Sequence, residues 1–160
     1  MHDEPHKEHL WLAQLLGEWS YDSECDMEPG RPPSRTTGTE KVRALGGLWV
    51  VLEGQGEMPG GAPHQMLVTL GYDPELQRYR GTWIGSMMAR LWIYDGTLDA
   101  GGRVLTLASD GPSMCGDGTT STYHDIIEIV DRDHRTFRSR ALGADGTWNE
   151  FLRMSYRRLS

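Results

Sequence analysis

The sequence predicts an all-β protein, an antiparallel up-and-down barrel of about ten strands preceded by one short helix. After Gly17 the apolar residues recur with period two almost to the end of the chain. The 20 glycines are spread along the chain, mostly beside Asp, Pro or another Gly, which is typical of tight turns between short strands. Strands joined in simple succession avoid open edges as a sandwich or as a closed barrel, and the meander order favours the barrel.

The segment before Gly17 is the part of the chain predicted to be helical. From Glu4 or Pro5 to Leu16 the apolar residues follow helical spacing, and proline is compatible with a first helical turn. A helix this short is not stable alone. We therefore expect it to pack on the barrel and close one end, within a single domain in which residues 17–160 form the barrel.

The strands are delimited by β-branched and aromatic residues between turn residues. Short connectors such as 46–47 and 143–146 favour hairpins between sequential strands. The predicted strands are 18–27, 36–45, 48–57, 65–73, 78–85, 90–98, 103–109, 119–131, 135–142 and 147–158.

Composition excludes several classes of partner. With 16 Lys and Arg against 23 Asp and Glu the net charge is −7, and no basic cluster that would follow a phosphate backbone is present, so nucleic acid is not expected. The longest apolar run, LWVVL, is far shorter than the ~20 residues of a membrane helix, so no membrane partner is expected. The first residues lack a signal-peptide pattern, which makes a cytoplasmic location the expectation. Cys25 and Cys115 are expected to be free thiols.

Several motifs resemble known families. The short helix followed by Gly17-x-Trp19 at the start of an antiparallel barrel resembles the lipocalin-like, or calycin, superfamily. A closer similarity, covering nearly the whole chain, is to a bacterial family known as a domain of unknown function. The segments that carry it are ALGGLWV at 44–50, GEMPG at 56–60, LGYDPELQRYRGTWIGSM at 70–87, YDGTLD at 94–99 and DGTWNEFLRMSYRR at 145–158. The resemblance implies the barrel fold and supplies no catalytic residues.

The lipocalin resemblance also implies a structure for the closed base. There the Trp of the Gly-x-Trp step typically closes the barrel, and a cationic side chain from the last strand packs across it. In this chain Gly17 would permit the turn, Trp19 would be the plug, and Arg153 or Arg157 would supply the cation, a contact typically worth ~0.5–2 kcal/mol.

An inward-pointing Trp19 sets the phase of the other strands if each turns its more apolar face inward. The interior then holds aromatic and Met side chains, Met27 among them, and two carboxylates, with two adjacent methionines as a flexible lip. The expected ligand-binding residues are Tyr21, Glu40, Tyr79, Trp83, Met87, Met88, Trp148, Met154 and Tyr156. Such an interior suits a small, mostly apolar or aromatic molecule. The alternative is a filled barrel in which the carboxylates satisfy the Tyr and Trp donors, and one bulge would invert the phase.

Catalysis is a second hypothesis from a different class. A Glu buried among aromatic rings would have a raised pKa and would act as general acid or base in a cyclase or isomerase. The candidates are Glu40, Glu150 and His124, although a structural carboxylate is the simpler interpretation. No Gly-x-Ser-x-Gly or other nucleophile motif is present.

Neither a metal nor a cofactor is expected. His2, His6 and His9 are spaced along one helical face, but the segment is interpreted as a solvated tail. Haem is known in a related barrel family that uses a histidine on a late strand, and the last strand here has none. A third hypothesis is a structural protein whose outer surface matters, in which Trp49 and Trp11 would form part of a homodimer surface.

Overall fold

The computed structural model describes residues 1–26 and 30–160. The chain begins with helix α1, Lys7–Leu12, which continues into one 3-10 turn, Ala13–Leu15. The helix thus starts after His6, later than the predicted Glu4 or Pro5. The His9 imidazole explains this start, because its Nδ1 accepts the His6 backbone N–H at 2.8 Å and satisfies a donor that the first turn leaves without a helical partner.

The described residues then form ten antiparallel strands in a closed up-and-down barrel, which confirms the predicted fold class. Each strand pairs with its neighbours in sequence, and β1 also pairs with β10 to close the barrel. The strands are β1 Gly17–Cys25, β2 Ser34–Leu45, β3 Trp49–Glu57, β4 Pro63–Asp73, β5 Arg78–Gly85, β6 Met88–Leu98, β7 Val104–Pro112, β8 Thr120–Asp131, β9 His134–Leu142 and β10 Trp148–Arg158. The predicted inward residue Met27 lies outside the described residues.

Burial alternates along the strands and identifies the inward face. On β1, Trp19 and Tyr21 are buried while Asp22 is exposed, as period-two geometry requires. Trp19 pairs with Glu40 on one side and with Arg158 on the other. Glu40 on β2 and Arg158 on β10 therefore face the interior on the same side as Trp19.

A bulge in β10 inverts the phase of its first residues. The register with β9 shifts between Glu150 and Leu152. Leu152 pairs with the inward Ser139, whereas Glu150 pairs with Arg140 on the outer face. The expectation that Glu150 and Trp148 point inward is therefore wrong, because the extra residue of the bulge moves them to the other side of the strand.

Glycines on the inner wall make room for the large side chains. A Cβ on Gly38 or Gly56 would lie 2.2 Å or 2.1 Å from the Tyr21 hydroxyl, so this ring lies flat on β2 and β3. A Cβ on Gly81 would lie 1.8 Å from the backbone oxygen of Thr69. No side chain fits at that distance without separating the two strands.

We predict that Gly81→Ala destabilises the barrel by ~2 kcal/mol or more, because the added methyl must displace the backbone of β4. The matched control is Gly101→Ala, whose Cβ would meet nothing nearer than Asp99 Oδ2 at 3.6 Å. This change should be neutral or slightly stabilising. Urea unfolding of both variants checks the prediction, and equal stabilities would contradict it.

Candidate functional site

The closed end of the barrel is built around Trp19, whose side chain is only 1% exposed. Its indole N–H donates to the backbone oxygen of Leu15 at 2.9 Å. The guanidinium carbons of Arg158 and Arg135 lie 4.2 Å and 4.7 Å from its ring centroid. Gly17 joins the helical segment to this strand with φ of 122°, a conformation that favours glycine.

The cations at the base differ from those that the resemblance implied. Arg153 is exposed and pairs with Glu150 at 2.6 Å on the outer face, and Arg157 is exposed as well. Arg158 shares the inward phase of Met154 and Tyr156, while Arg153 and Arg157 have the opposite phase. Strand alternation is the physical reason for the correction.

Arg135 and Glu40 form a buried ion pair above Trp19, with side-chain exposures of 1% and 4%. The Arg135 guanidinium carbon also lies 3.8 Å from the ring centroid of Tyr156, and the Tyr156 hydroxyl donates to Glu40 Oε2 at 3.4 Å. The inward position of Arg135 was not predicted from the sequence. It could have been, because the inward face of β9 is formed by every second residue, Arg135, Phe137 and Ser139.

The phenols around this pair are held in their protonated form. Burial, and secondarily the charge of Glu40, raises the pKa of Tyr21 to about 12. The same causes, in the same order, raise the pKa of Tyr156 well above its usual value. With Glu40 and Arg135 paired and both phenols protonated near neutral pH, the arrangement favours a fixed structural cluster.

A second polar cluster lies farther along the barrel. Asp125 on β8 accepts a hydrogen bond from Ser139 Oγ at 2.6 Å and another from the Tyr94 hydroxyl. Burial raises the pKa of the Asp125 carboxyl, and the two hydrogen bonds oppose that shift. Asp125 faces inward, and within the described residues its side-chain hydrogen-bond partners are the neutral hydroxyls of Tyr94 and Ser139.

The half of the barrel beyond this cluster, at the end opposite the helix, is here called the open half. Its inward apolar side chains pack against the core but are only partly buried. They come from three strands and are Met66, Trp83 and Leu152. Solvent therefore reaches the inner wall in this half.

Aromatic rings line one side of the open half. The Tyr123 ring makes edge contacts with Trp92 and Phe151, at centroid distances of 5.1 Å and 6.2 Å. The Trp92 ring occupies the place that a Cβ on Gly111 would fill, at 2.2 Å. It lies where β6 and β7 separate, since their paired register stops at Asp95 and Ala108.

The expected ligand-binding residues are divided among several places. Tyr21, Met154 and Tyr156 are buried near the ion pair. Tyr79 lies at the closed end, where its hydroxyl donates to the backbone oxygen of Glu8 at 3.1 Å.

The remaining expected residues lie toward the open half or outside the barrel. Trp83 faces the open half, and Met87 and Met88 are 37% and 45% exposed at the turn between β5 and β6. Trp148 lies outside the barrel.

Trp148 and His124 form a cluster on the outer face. Their rings stack at 4.2 Å, and the Arg140 guanidinium lies 4.5 Å from the Trp148 ring and donates to His124 Nδ1 at 3.0 Å. Burial, and then the charge of Arg140, lowers the pKa of His124. The predicted catalytic candidates are therefore divided by the barrel wall: Glu40 lies inside the barrel, and Glu150 and His124 lie on its outer face.

The two tryptophans proposed for a dimer surface differ in their contacts and exposure. Trp11 donates its indole N–H to the backbone oxygen of Gly102 at 2.7 Å and contacts Tyr79. Trp49 is 42% exposed and lies over Gly71. The homodimer stays a prediction.

Within 1–26 and 30–160, no three His, Cys, Asp or Glu side chains are grouped so that they would hold a metal ion. In the same part of the chain no helix has the length and apolar character to span a bilayer.

Compared with known proteins, the chain is first of all a β-barrel protein. Its architecture is the same as that of several solved structures. One is Rv2717c from M. tuberculosis, with a TM-score of 0.69, 15% identity, and coverage of 98% of this chain and 100% of that chain. Another is EF1p2_mFAP2b bound to DFHBI, with a TM-score of 0.51, 10% identity, and coverage of 94% and 98%. Identities this low show similarity of fold.

The family follows from a sequence model. Residues 4–158 match the family described as "Protein of unknown function (DUF1579)", and the chain belongs to this family. This confirms the resemblance to a domain of unknown function with a barrel fold. No curated protein sequence gives a significant match.

We predict that Arg135→Met and Glu40→Gln each destabilise the protein by ~3–5 kcal/mol, because either leaves one buried charge without its partner. The double variant should lose less than the sum of the two. Urea unfolding of all three closes a double-mutant cycle. As control, Arg43→Gln removes an exposed 3.4 Å pair with Glu53 and should cost less than ~1 kcal/mol. Additive losses at Arg135 and Glu40 would contradict the prediction.

We predict an opposite pH dependence for two aspartates. The pKa of Asp125 is raised from an ordinary 3.8, so the folded state retains a proton that the unfolded state releases as pH rises above that value. The stability of the wild type relative to Asp125→Asn should therefore fall from about pH 4 upward.

Asp99 is the matched control. Backbone N–H groups of Val104 and Arg103 lower its pKa from 3.8, so its contribution is present above that value and is lost as pH falls. Wild type relative to Asp99→Asn should gain stability as pH rises through this range. Urea unfolding across pH measures both differences, and slopes of the same sign would refute the assignment for Asp125.

Proposed function

We propose that the chain binds a small, mostly apolar or aromatic molecule in the open half of the barrel. The observation that supports this is the partial burial of Met66, Trp83 and Leu152, all of which face inward. Protein interiors are close-packed, and Leu105 and Leu107, deeper in the barrel, are by comparison 0% exposed.

The chemistry of the wall supports an apolar ligand with one polar group. Ligand pockets are mostly apolar and aromatic, with a few polar groups that fix orientation. Here the aromatic wall is Trp83, Trp92 and Tyr123, and the polar group at its depth is Asp125 with its two hydrogen-bond donors. A ligand with a hydrogen-bond donor directed at Asp125 fits this arrangement better than an anion does.

The fold comparison is compatible with this use of the interior. EF1p2_mFAP2b, whose fold resembles this chain, was solved bound to DFHBI. A chain of this fold thus accommodates a bound molecule. The identity of this chain's ligand rests on its own residues.

The cyclase or isomerase hypothesis finds little support in the positions of its residues. Glu40 is engaged by Arg135 and Tyr156, and Glu150 is on the outer face with Arg153. The filled-barrel hypothesis fits the closed half, where the ion pair and its rings occupy the interior. Binding in the open half is compatible with that packing.

We predict that N-phenyl-1-naphthylamine, a neutral fluorescent probe, binds the wild type and binds Trp83→Ala about tenfold more weakly, because a large aromatic contact is lost. The matched control is Trp49→Ala, which removes an outward tryptophan of 42% exposure and should leave the dissociation constant unchanged. Fluorescence titration measures all three, and circular dichroism checks folding.

A second variant fills the open half instead of removing a contact, and so distinguishes loss of space for the probe from loss of apolar contact surface. Met66→Trp adds apolar bulk on the β4 wall, and if the probe occupies the open half it should also weaken binding several-fold. Wild-type affinity in both Trp83→Ala and Met66→Trp would overturn the proposed site. Equal weakening by Trp49→Ala would do so as well.

A further inference from the structure

A cleft lies outside the barrel at its closed end, on the side away from the open half, and is here called the base cleft. Its volume is about 720 Å³. It lies between the 3-10 turn after α1, the β6–β7 turn and the β8–β9 turn. None of the predicted ligand-binding residues lines it.

Three arginines surround the base cleft: Arg103, Arg132 and Arg158. Arg158 is fixed by the backbone oxygens of Gln14, at 2.8 Å, and Arg132, at 3.0 Å. Arg103 donates to the backbone oxygen of Val130 at 3.1 Å. Carbonyl partners fix the position of a guanidinium without cancelling its charge.

The carboxylates nearby offset part of this charge. Asp131 is turned toward its own loop, where it accepts from the Asp133 backbone N–H at 2.8 Å and contacts His134 Nδ1 at 2.9 Å. Asp133 lies 3.6 Å from Arg158 Nε. Asp99 in the β6–β7 turn accepts from the Arg103 backbone N–H at 2.9 Å. Among the side chains that line the cleft, three guanidinium groups stand against the one carboxylate of Asp131.

The apolar part of the lining gives the cleft its second property. Ala13, Trp19, Ile129 and Val130 contribute to its walls. Burial is the main cause of a lowered pKa for Arg158, and the neighbouring cations Arg132 and Arg135 add to it against the opposing effect of Asp133. A guanidinium in such surroundings gains from an anion placed beside it.

We propose that the base cleft is a second binding site, for a small organic anion that carries one carboxylate, sulfonate or phosphate group on an apolar body. The planar guanidinium fork suits such oxyanions, and the apolar walls receive the body of the molecule. Arg132 is the exposed cation best placed to contact the anion directly. The site is independent of ligand binding in the open half.

The test uses the full chain and 8-anilinonaphthalene-1-sulfonate, a fluorescent probe that joins a sulfonate to aromatic rings. Arg132→Gln should raise its dissociation constant about tenfold through loss of a charge-assisted contact. Ala13→Trp keeps every charge but fills the cleft from an exposed position, and it should weaken binding at least as much. Arg43→Gln, an exposed arginine elsewhere on the barrel, is the matched control and should bind as the wild type does.

The two proposals fail in different ways. Unchanged affinity in both Arg132→Gln and Ala13→Trp, or equal weakening in Arg43→Gln, would overturn the base cleft. Weakening of the anionic probe by Trp83→Ala instead would also overturn it, by placing that probe in the open half. The neutral probe N-phenyl-1-naphthylamine should be insensitive to Arg132→Gln, so its behaviour tests the open half alone. Since Arg132 is exposed, its variant provides a test even if Ala13→Trp does not fold.

Discussion

The structure depends on one buried ion pair, Arg135 with Glu40, set against the ring of Trp19. The pair joins β9 to β2 across the seam where β10 and β1 close the barrel. Removing two charges from water costs several kcal/mol per ion unless geometry and hydrogen bonds compensate. The Tyr156 hydroxyl and the two aromatic faces supply part of that compensation, whereas Arg135 Nε is buried without a hydrogen-bond partner among the described residues. The pair therefore requires a well-defined packing of the closed end.

This requirement divides the interior into two halves with different properties. In the closed half Arg135 and Glu40 are paired with each other, and the raised pKa values keep the phenols of Tyr21 and Tyr156 protonated. In the open half the inward side chains are partly buried and Asp125 has neutral donors as partners.

Much of the fold was predictable because its signals are local. Alternation and turn residues located all ten strands to within a few residues, since each strand shows its own period and boundaries. The site was less predictable. Trp83, Tyr21 and Glu40 were expected inside and face inward, but Glu150 and Trp148 were misplaced by a bulge after position 150 that no local signal marked. His124 is separated from Glu40 because it lies on the outer face of β8, where it stacks on Trp148.

The sequence by itself determined the number and order of the strands, the position of the helix, and Trp19 as the plug, because period, turn chemistry and the Gly17-x-Trp19 step belong to short segments. Only the tertiary structure decided which charges meet. Arg135 and Glu40 are 95 residues apart, and Arg158 rather than Arg153 packs on Trp19. Pairing across a closed barrel depends on register and on bulges, which are set by all the strands together.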